Sequence, residues 1–490
     1  MLADPRIASL RLAVRPRVVA HHLALLAIPL GLLSLVPALA AWLDGALEVA
    51  LRQLAVAAVL GGLGWAGGRI RCDAHIQVNE ALVVSASAFV GLGLLAALPL
   101  HAYGLAPLDA LFEAVSGVTT TGLSTVTGLQ QMPASFLFTR AWLQWVGGLG
   151  VVVLGLALVV APGPAARRLG LEQTDGDDIV GGTRANARRV LVVYVALTLI
   201  AVVALIAVGL GPRAALVHAL AAVSTGGFAP DDASLAALDG LAPRVVVVAA
   251  ALAGALSFSW YYRRDPGKLR ALLRDGQLHA LVALWLATAA VLALDAVGRG
   301  GGDLSRVVVD AVLTAASAQT TAGFSVGDVG ELGDASKLAL VGSMLIGGEP
   351  GSTAGGIKVL RLLVLARLVQ LLIARASVPA AARLDLRVGK ERVGGRELEV
   401  MLGVVCAYGA AIAMAWLVFV AHGHAPIDAL LDVVSAVSTT GLSTGVTSAT
   451  LAPTLKLLSC GLMLFGRLEA VAILVLLYPG TWFGKRRGDR

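Results

Sequence analysis

Four short stretches constrain this chain more than anything else in it. Thr119-Thr120-Thr121-Gly122-Leu123 is polar and glycine-bearing, and it lies between two long apolar segments. Ser224-Thr225-Gly226-Gly227-Phe228, Thr320-Thr321-Ala322-Gly323-Phe324 and Ser438-Thr439-Thr440-Gly441-Leu442 repeat it. The shared pattern is [Ser/Thr]-Thr-x-Gly-[Leu/Phe], and its spacing of roughly a hundred residues marks four repeats, each delivering one part of the same device.

The 490 residues are 58% hydrophobic and 14% charged. That is too little charge to cover a soluble protein of this length, and apolar runs long enough to span a bilayer recur throughout. The fold class is therefore an all-α polytopic membrane protein. The net charge of +7 is read through the excess of Lys and Arg in cytoplasmic loops, not as nucleic-acid binding. Cys72, Cys406 and Cys460 are far apart and show no metal spacing, so they are read as packing residues. The N-terminus, with Arg6, Arg11, Arg15 and Arg17 before an apolar run and Ala38-Leu39-Ala40 after it, resembles a signal peptide. The run is long for one, and an uncleaved first helix is expected.

Residues 1–75 read as a pair of transmembrane helices, 18–42 and 51–66. Four units of long helix, short helix, polar loop and long helix follow. They cover 76–165, 166–275, 276–392 and 393–490, with final helices expected at 134–160, 243–260, from about 336, and 452–477. Thirteen residues before the motif glycines stand Asp109, Ala214, Asp310 and Asp428. An aspartate there is expected to start each short helix, capping free N–H groups and complementing the positive dipole end. The basic loops holding Arg263, Arg264, Lys268, Arg270 and Arg274, then Arg375, Arg383, Arg387, Lys390, Arg392 and Arg396, and Lys485-Arg486-Arg487, each follow a final helix. Those ends are expected in the cytoplasm, with the short helices dipping in from the outer face.

Non-helical backbone at membrane depth is tolerated only when buried in protein or lining a watery cavity. Four such loops on one axis would surround a narrow path with carbonyl oxygens, which can replace the hydration shell of a monovalent cation. Glycine aims successive carbonyls inward without a Cβ, and threonine adds a hydroxyl that can coordinate or brace the loop. In the third unit the final helix is interrupted by Gly347-Gly348-Glu349-Pro350-Gly351-Ser352-Thr353-Ala354-Gly355-Gly356. Five glycines and a proline cannot remain helical, so a flexible gate below the filter is expected at 347–356. Arg467 and Glu469 stand inside the apolar last helix, where an ionisable residue is a functional candidate. Arg467 could reach the loop carbonyls. A membrane enzyme would need carboxylates, His or Cys clustered at membrane depth, and little beyond Glu349 and Glu469 is available.

These residues resemble the Trk/Ktr/HKT superfamily of potassium transporters, in its TrkH/TrkG branch. The resemblance rests on the four loops, on Leu143-Gln144-Trp145-Val146-Gly147-Gly148, on the glycine-rich break through Ile357-Lys358, and on Met463-Leu464-Phe465-Gly466-Arg467-Leu468-Glu469. It implies four helix–pore helix–helix repeats in pseudo-fourfold arrangement after the extra N-terminal pair. It implies a potassium filter at Thr119, Thr120, Thr121, Gly122, Ser224, Thr225, Gly226, Gly227, Thr320, Thr321, Ala322, Gly323, Ser438, Thr439, Thr440 and Gly441. It implies a gate of Gly347, Gly348, Gly351, Ser352, Thr353, Gly355 and Gly356 faced by Arg467. Potassium is then the substrate, with no covalently bound cofactor, and uptake runs as a channel or a symporter in the bacterial inner membrane. A homodimer docked on a cytoplasmic nucleotide-binding ring of the TrkA type is implied as well. The same pore passing sodium or ammonium is the alternative. Glu349-Pro350 departs from the small residues usual in that family.

Overall fold

The computed structural model describes residues 13–70, 76–158, 179–262, 267–300, 302–377, 385–388 and 391–483. The expectations attached to Arg6, Arg11, Cys72, Arg263, Arg264, Arg383, Lys390 and Lys485-Arg486-Arg487 lie outside these residues, as does the junction at 165/166. The chain is all-α in architecture. Among the described residues, the strands are a two-residue antiparallel ladder, Arg387–Val388 with Glu391–Arg392.

Six helices among the described residues are long and apolar enough to cross a membrane: Pro16–Leu43, Leu47–Gly68, Val78–His101, Ala187–Ala207, Gly276–Gly298 and Glu397–Ala421. The first two pack along one another. Glu80 lies in the first turn of the third, and its carboxylate accepts from Gln77 N at 2.9 Å, capping the helix start. It also pairs with Arg15 at 2.7 Å, which ties the N-terminal segment to the first unit. Cys460 is buried, whereas Cys406 is exposed on its helix and does not pack in the core.

Between the long helices lie four short ones: Pro107–Val118, Pro212–Val223, Leu304–Gln319 and Pro426–Val437. A 12-residue helix extends only about 18 Å and cannot cross a hydrocarbon core of about 30 Å. Three of them begin at proline, whose missing N–H and fixed φ suit the first helical position. The third is longer and is capped instead by Asp303, whose side chain accepts from Ser305 N at 3.2 Å. The expected aspartate caps are therefore corrected. Asp109 and Asp428 sit in the first turn without capping it, because proline has already fixed the start. Asp310 lies well inside its longer helix, 3.9 Å from Arg306.

The returning helices differ from expectation in two of the units, the second and the fourth. The first, Ala134–Leu158, is one helix. The second stops at Ala255 and resumes as Ser259–Tyr262. The third breaks between Ile346 and Val359. The fourth breaks after Arg467, and Val471–Leu477 leaves at 117° to Pro453–Arg467. Glu469 and Ala470 take left-handed backbone there, with φ of 54° and 61°, a conformation that ends an α-helix. The single helices expected at 243–260 and 452–477 are thus each two segments. Gly147, Gly254 and Gly466 bring returning helices against short ones. A Cβ on them would stand 1.9, 2.4 and 1.7 Å from the carbonyl oxygens of Val118, Val223 and Val437.

Candidate functional site

Each short helix ends in a loop of the same backbone conformation. The first motif hydroxyl bonds back into its own helix: Thr119 to Val115 O at 2.7 Å, Thr320 to Ala316 O at 2.8 Å, Ser438 to Val434 O at 2.7 Å, and Ser224 to Ala221 O at 3.0 Å. These groups satisfy helix-end carbonyls. The second motif residue is a threonine in left-handed conformation in all four loops, at Thr120, Thr225, Thr321 and Thr439, with φ of 52–53°. A β-branched residue is strained there, so the surrounding packing must hold it. Hydroxyls of Thr120 and Thr439 are buried without a hydrogen-bond partner among the described residues. Those of Thr121 and Thr440 pair with Thr119 and Ser438 at 2.7 and 2.8 Å.

The four motif glycines, Gly122, Gly227, Gly323 and Gly441, all have positive φ, and their neighbours make the arrangement a closed ring. A Cβ on Gly122 would stand 2.3 Å from Gly226 O, and one on Gly227 2.1 Å from Ala322 O. One on Gly323 would stand 1.9 Å from Thr440 O, and one on Gly441 2.2 Å from Thr121 O. Each glycine therefore abuts the carbonyl that precedes the next unit's glycine, and the fourth closes on the first. On one side, Gly323 and Gly441 open into a cavity of about 520 Å³ that also touches Asp232 and Asp328.

On the other side lies the glycine-rich break. It is buried and held by hydrogen bonds, not a free loop. Gly355 N donates to Thr321 Oγ1 at 2.6 Å, and Gly356 N to Ser438 O at 3.1 Å. Thr353 Oγ1 reaches Val223 O at 3.0 Å and Gly254 O at 2.9 Å. Gln319 Nε2 donates to Gly347 O at 2.7 Å. Ser352 Oγ bonds Glu349 O at 2.5 Å within the segment. Gly348 packs on Ala354 and Ala255, and Gly351 O accepts from Phe258 N at 3.1 Å. All sixteen loop residues and the glycine-rich segment thus form one assembly at the centre of the four units.

The sequence matches the TrkH family, described as cation transport protein, over residues 49–264 and 282–480. The chain belongs to the TrkH cation transport family. The Trk system potassium uptake protein TrkH of Escherichia coli K12 is 28% identical over 480 residues, covering 95% of this chain and 99% of that protein. The Trk system potassium uptake protein TrkI of Halomonas elongata is 30% identical over 431 residues, covering 84% and 86%. The crystal structure of the potassium transporter TrkH from Vibrio parahaemolyticus superposes with a TM-score of 0.84 at 25% identity, covering 96% of this chain and 100% of that one. This TrkH-family member is a multi-pass membrane protein.

In this TrkH-family chain Arg467 ends its helix, and its Nη1 donates to Thr353 O at 2.7 Å. Glu469 turns away from the ring to an ion pair with Arg361, and Lys358 bonds Ala354 O. Glu349 Oε2 accepts from Ser257 N at 2.9 Å, at the break of the second unit's returning helix.

Several residues that hold the TrkH-type loops were not singled out from the sequence. Glu113 accepts from Ser124 Oγ at 2.6 Å and Thr125 N at 3.0 Å. Asp432 does the same for Ser443 Oγ at 2.7 Å and Thr444 N at 2.9 Å. Both stand nine residues before their motif glycine, where the other units have His218 and Thr314. Carboxylates recurring at that offset inside buried helices were the available signal. Arg140 pairs with Glu113 at 2.8 Å and lies 3.8 Å from the Phe228 ring centroid, joining the first loop to the second.

Proposed function

We propose that the chain takes up potassium across the bacterial inner membrane, with the ring of four loops as its selectivity filter. The observation that carries this reading is the ring itself: each motif glycine abuts a carbonyl of the next unit, and the last unit closes on the first. Carbonyl oxygens gathered at one level replace the hydration shell of a monovalent cation. The C-terminal ends of four short helices converge there, and their partial negative charge favours a cation. The relatives' names, potassium uptake proteins, support potassium as the cargo.

In this reading the cavity beside Asp232 and Asp328 is the outer vestibule. The segment 347–356 is the gate on the cytoplasmic side, and Arg467 holds it closed through Thr353. A 100 mV potential contributes about 2.3 kcal/mol per ion, enough to drive inward flow. The protein works as a homodimer on a cytoplasmic nucleotide-binding ring of the TrkA type, which draws the gate away from Thr321 and Ser438.

The test is the reversal potential of the purified protein in planar bilayers under opposed potassium and sodium gradients, with and without the cytoplasmic ring. A reversal near the potassium potential is expected. Reversal near the sodium potential, or ammonium carried equally well, would replace potassium as the substrate.

A further inference from the structure

The ring is fourfold in its backbone but not in what holds it. In the first and fourth units Ser116 and Ser435 accept from the motif glycine N–H at 3.0 and 2.9 Å. The second unit has Ala221 at that position and no hydroxyl to offer. Its loop is held from outside, by Gln144 of the first unit's returning helix. Gln144 is fully buried. Its Oε1 accepts from Phe228 N at 3.1 Å, and its Nε2 donates to Gly226 O.

Gly226 O is one of the four ring oxygens. Among the described residues no hydrogen bond reaches the other three, those of Thr121, Ala322 and Thr440. The fit is specific to this junction. A Cβ on Gly226 would stand 2.4 Å from Gln144 Cδ, so glycine is needed where the other loops carry Thr121, Ala322 and Thr440. Three residues before Gly147, Gly254, Gly347 and Gly466 stand Gln144, Ala251, Met344 and Met463, so the amide occurs once.

We infer that Gln144 is a positioning residue for ion selectivity: its amide fixes the second ring oxygen in place and draws on its lone pairs. That vertex then attracts a cation less than the other three, and the bound ion is displaced toward the first, third and fourth loops. The inference rests on the ring being the filter. A hydrogen-bonded carbonyl has one fewer lone pair for an ion, and a buried amide side chain satisfied at both ends is rigid.

The experiment measures reversal potentials for potassium, rubidium and sodium in planar bilayers for Gln144→Glu, Gln144→Met and, as a control, Gly323→Ser. Reversal potentials do not depend on how much protein is active, so a merely structural loss does not move them. Gln144→Glu keeps the shape and removes the Nε2 donor; Gln144→Met supplies the side chain used in the third and fourth units. The potassium-to-sodium permeability ratio is expected to change roughly fivefold in both, the factor equivalent to one net hydrogen bond. If Gly323→Ser shifts the ratio and the monodisperse Gln144→Glu variant keeps the wild-type value, the role of Gln144 is overturned and the filter stands. If neither variant shifts it, the filter reading itself fails. Should Gln144→Met not fold, Gln144→Glu alone decides.

Discussion

Lys456 Nζ lies 2.6 Å from Oδ1 of Asp109, joining the fourth unit's returning helix to the first unit's short helix. Lys337 and Asp428 make the same link between the third and fourth units at 2.7 Å. At the first-to-second junction the corresponding positions are Leu137 and Ala214, so acid and base are absent together. At the second-to-third junction Arg244 instead donates to Leu238 O and Ala236 O. The lysines are largely buried, at 7% and 8% exposure, so each needs its partner.

Removing one member of a buried pair strands the other. Asp109→Ala and Lys456→Ala are each expected to destabilise the protein by about 3 kcal/mol, seen as earlier thermal loss of the monodisperse form in detergent. The double alanine variant should cost less than the sum. Full additivity would mean that the two side chains do not depend on each other.

Gly323→Ser places an atom 1.9 Å from Thr440 O and demands a positive φ of a non-glycine residue. The neighbouring carbonyl must move, and the ring opens at that joint. The potassium-to-sodium permeability ratio is expected to fall about tenfold, equivalent to about 1.4 kcal/mol. Gly122→Ser should act in the same direction. Unchanged flux ratios for both in reconstituted vesicles would remove the ring from ion discrimination.

Arg467→Ala deletes the charged donor on Thr353 O. A hydrogen bond to a charged group contributes about 2 kcal/mol, so flux without the cytoplasmic partner should rise roughly thirtyfold. Shortening the segment 347–356 should also raise leak. A deletion variant with wild-type flux and regulation would rule the segment out as a gate.

Glu349 separates two explanations of its presence. If its role is to hold the gate against the break of the second unit, through Ser257 N, then Glu349→Gln keeps an acceptor and stays near wild type, while Glu349→Ala raises basal flux several-fold. Equal loss of conductance in both variants would instead point to its charge acting on the permeating ion.

What could be read from the sequence followed from local rules. Thr-Thr-x-Gly between apolar runs requires irregular buried backbone, and glycine and proline at 347–356 break a helix wherever they stand. The breaks at Ala255 and at Glu469-Ala470 are set by tertiary packing: Leu256 turns extended after the first, and the second holds positive φ on residues that favour helix. The recurring aspartates were visible, but their partners Lys337 and Lys456 belong to neighbouring units, and local capping chemistry stood in for a long-range pair. Gln144 stood out only as part of the Leu143–Gly148 stretch, and its contact with the second loop was hidden for the same reason. Its contact depends on the side chain that Gly226 lacks, 82 residues away.

The contact of Gly441 with Thr121 O joins the last loop to leave the ribosome to the first. Until that loop arrives, the ring has one side open and Lys456 has not yet met Asp109. A chain that stops before the fourth unit therefore leaves both the ring and the Lys456–Asp109 link unclosed, and on the proposed reading no filter exists until the whole chain is in place.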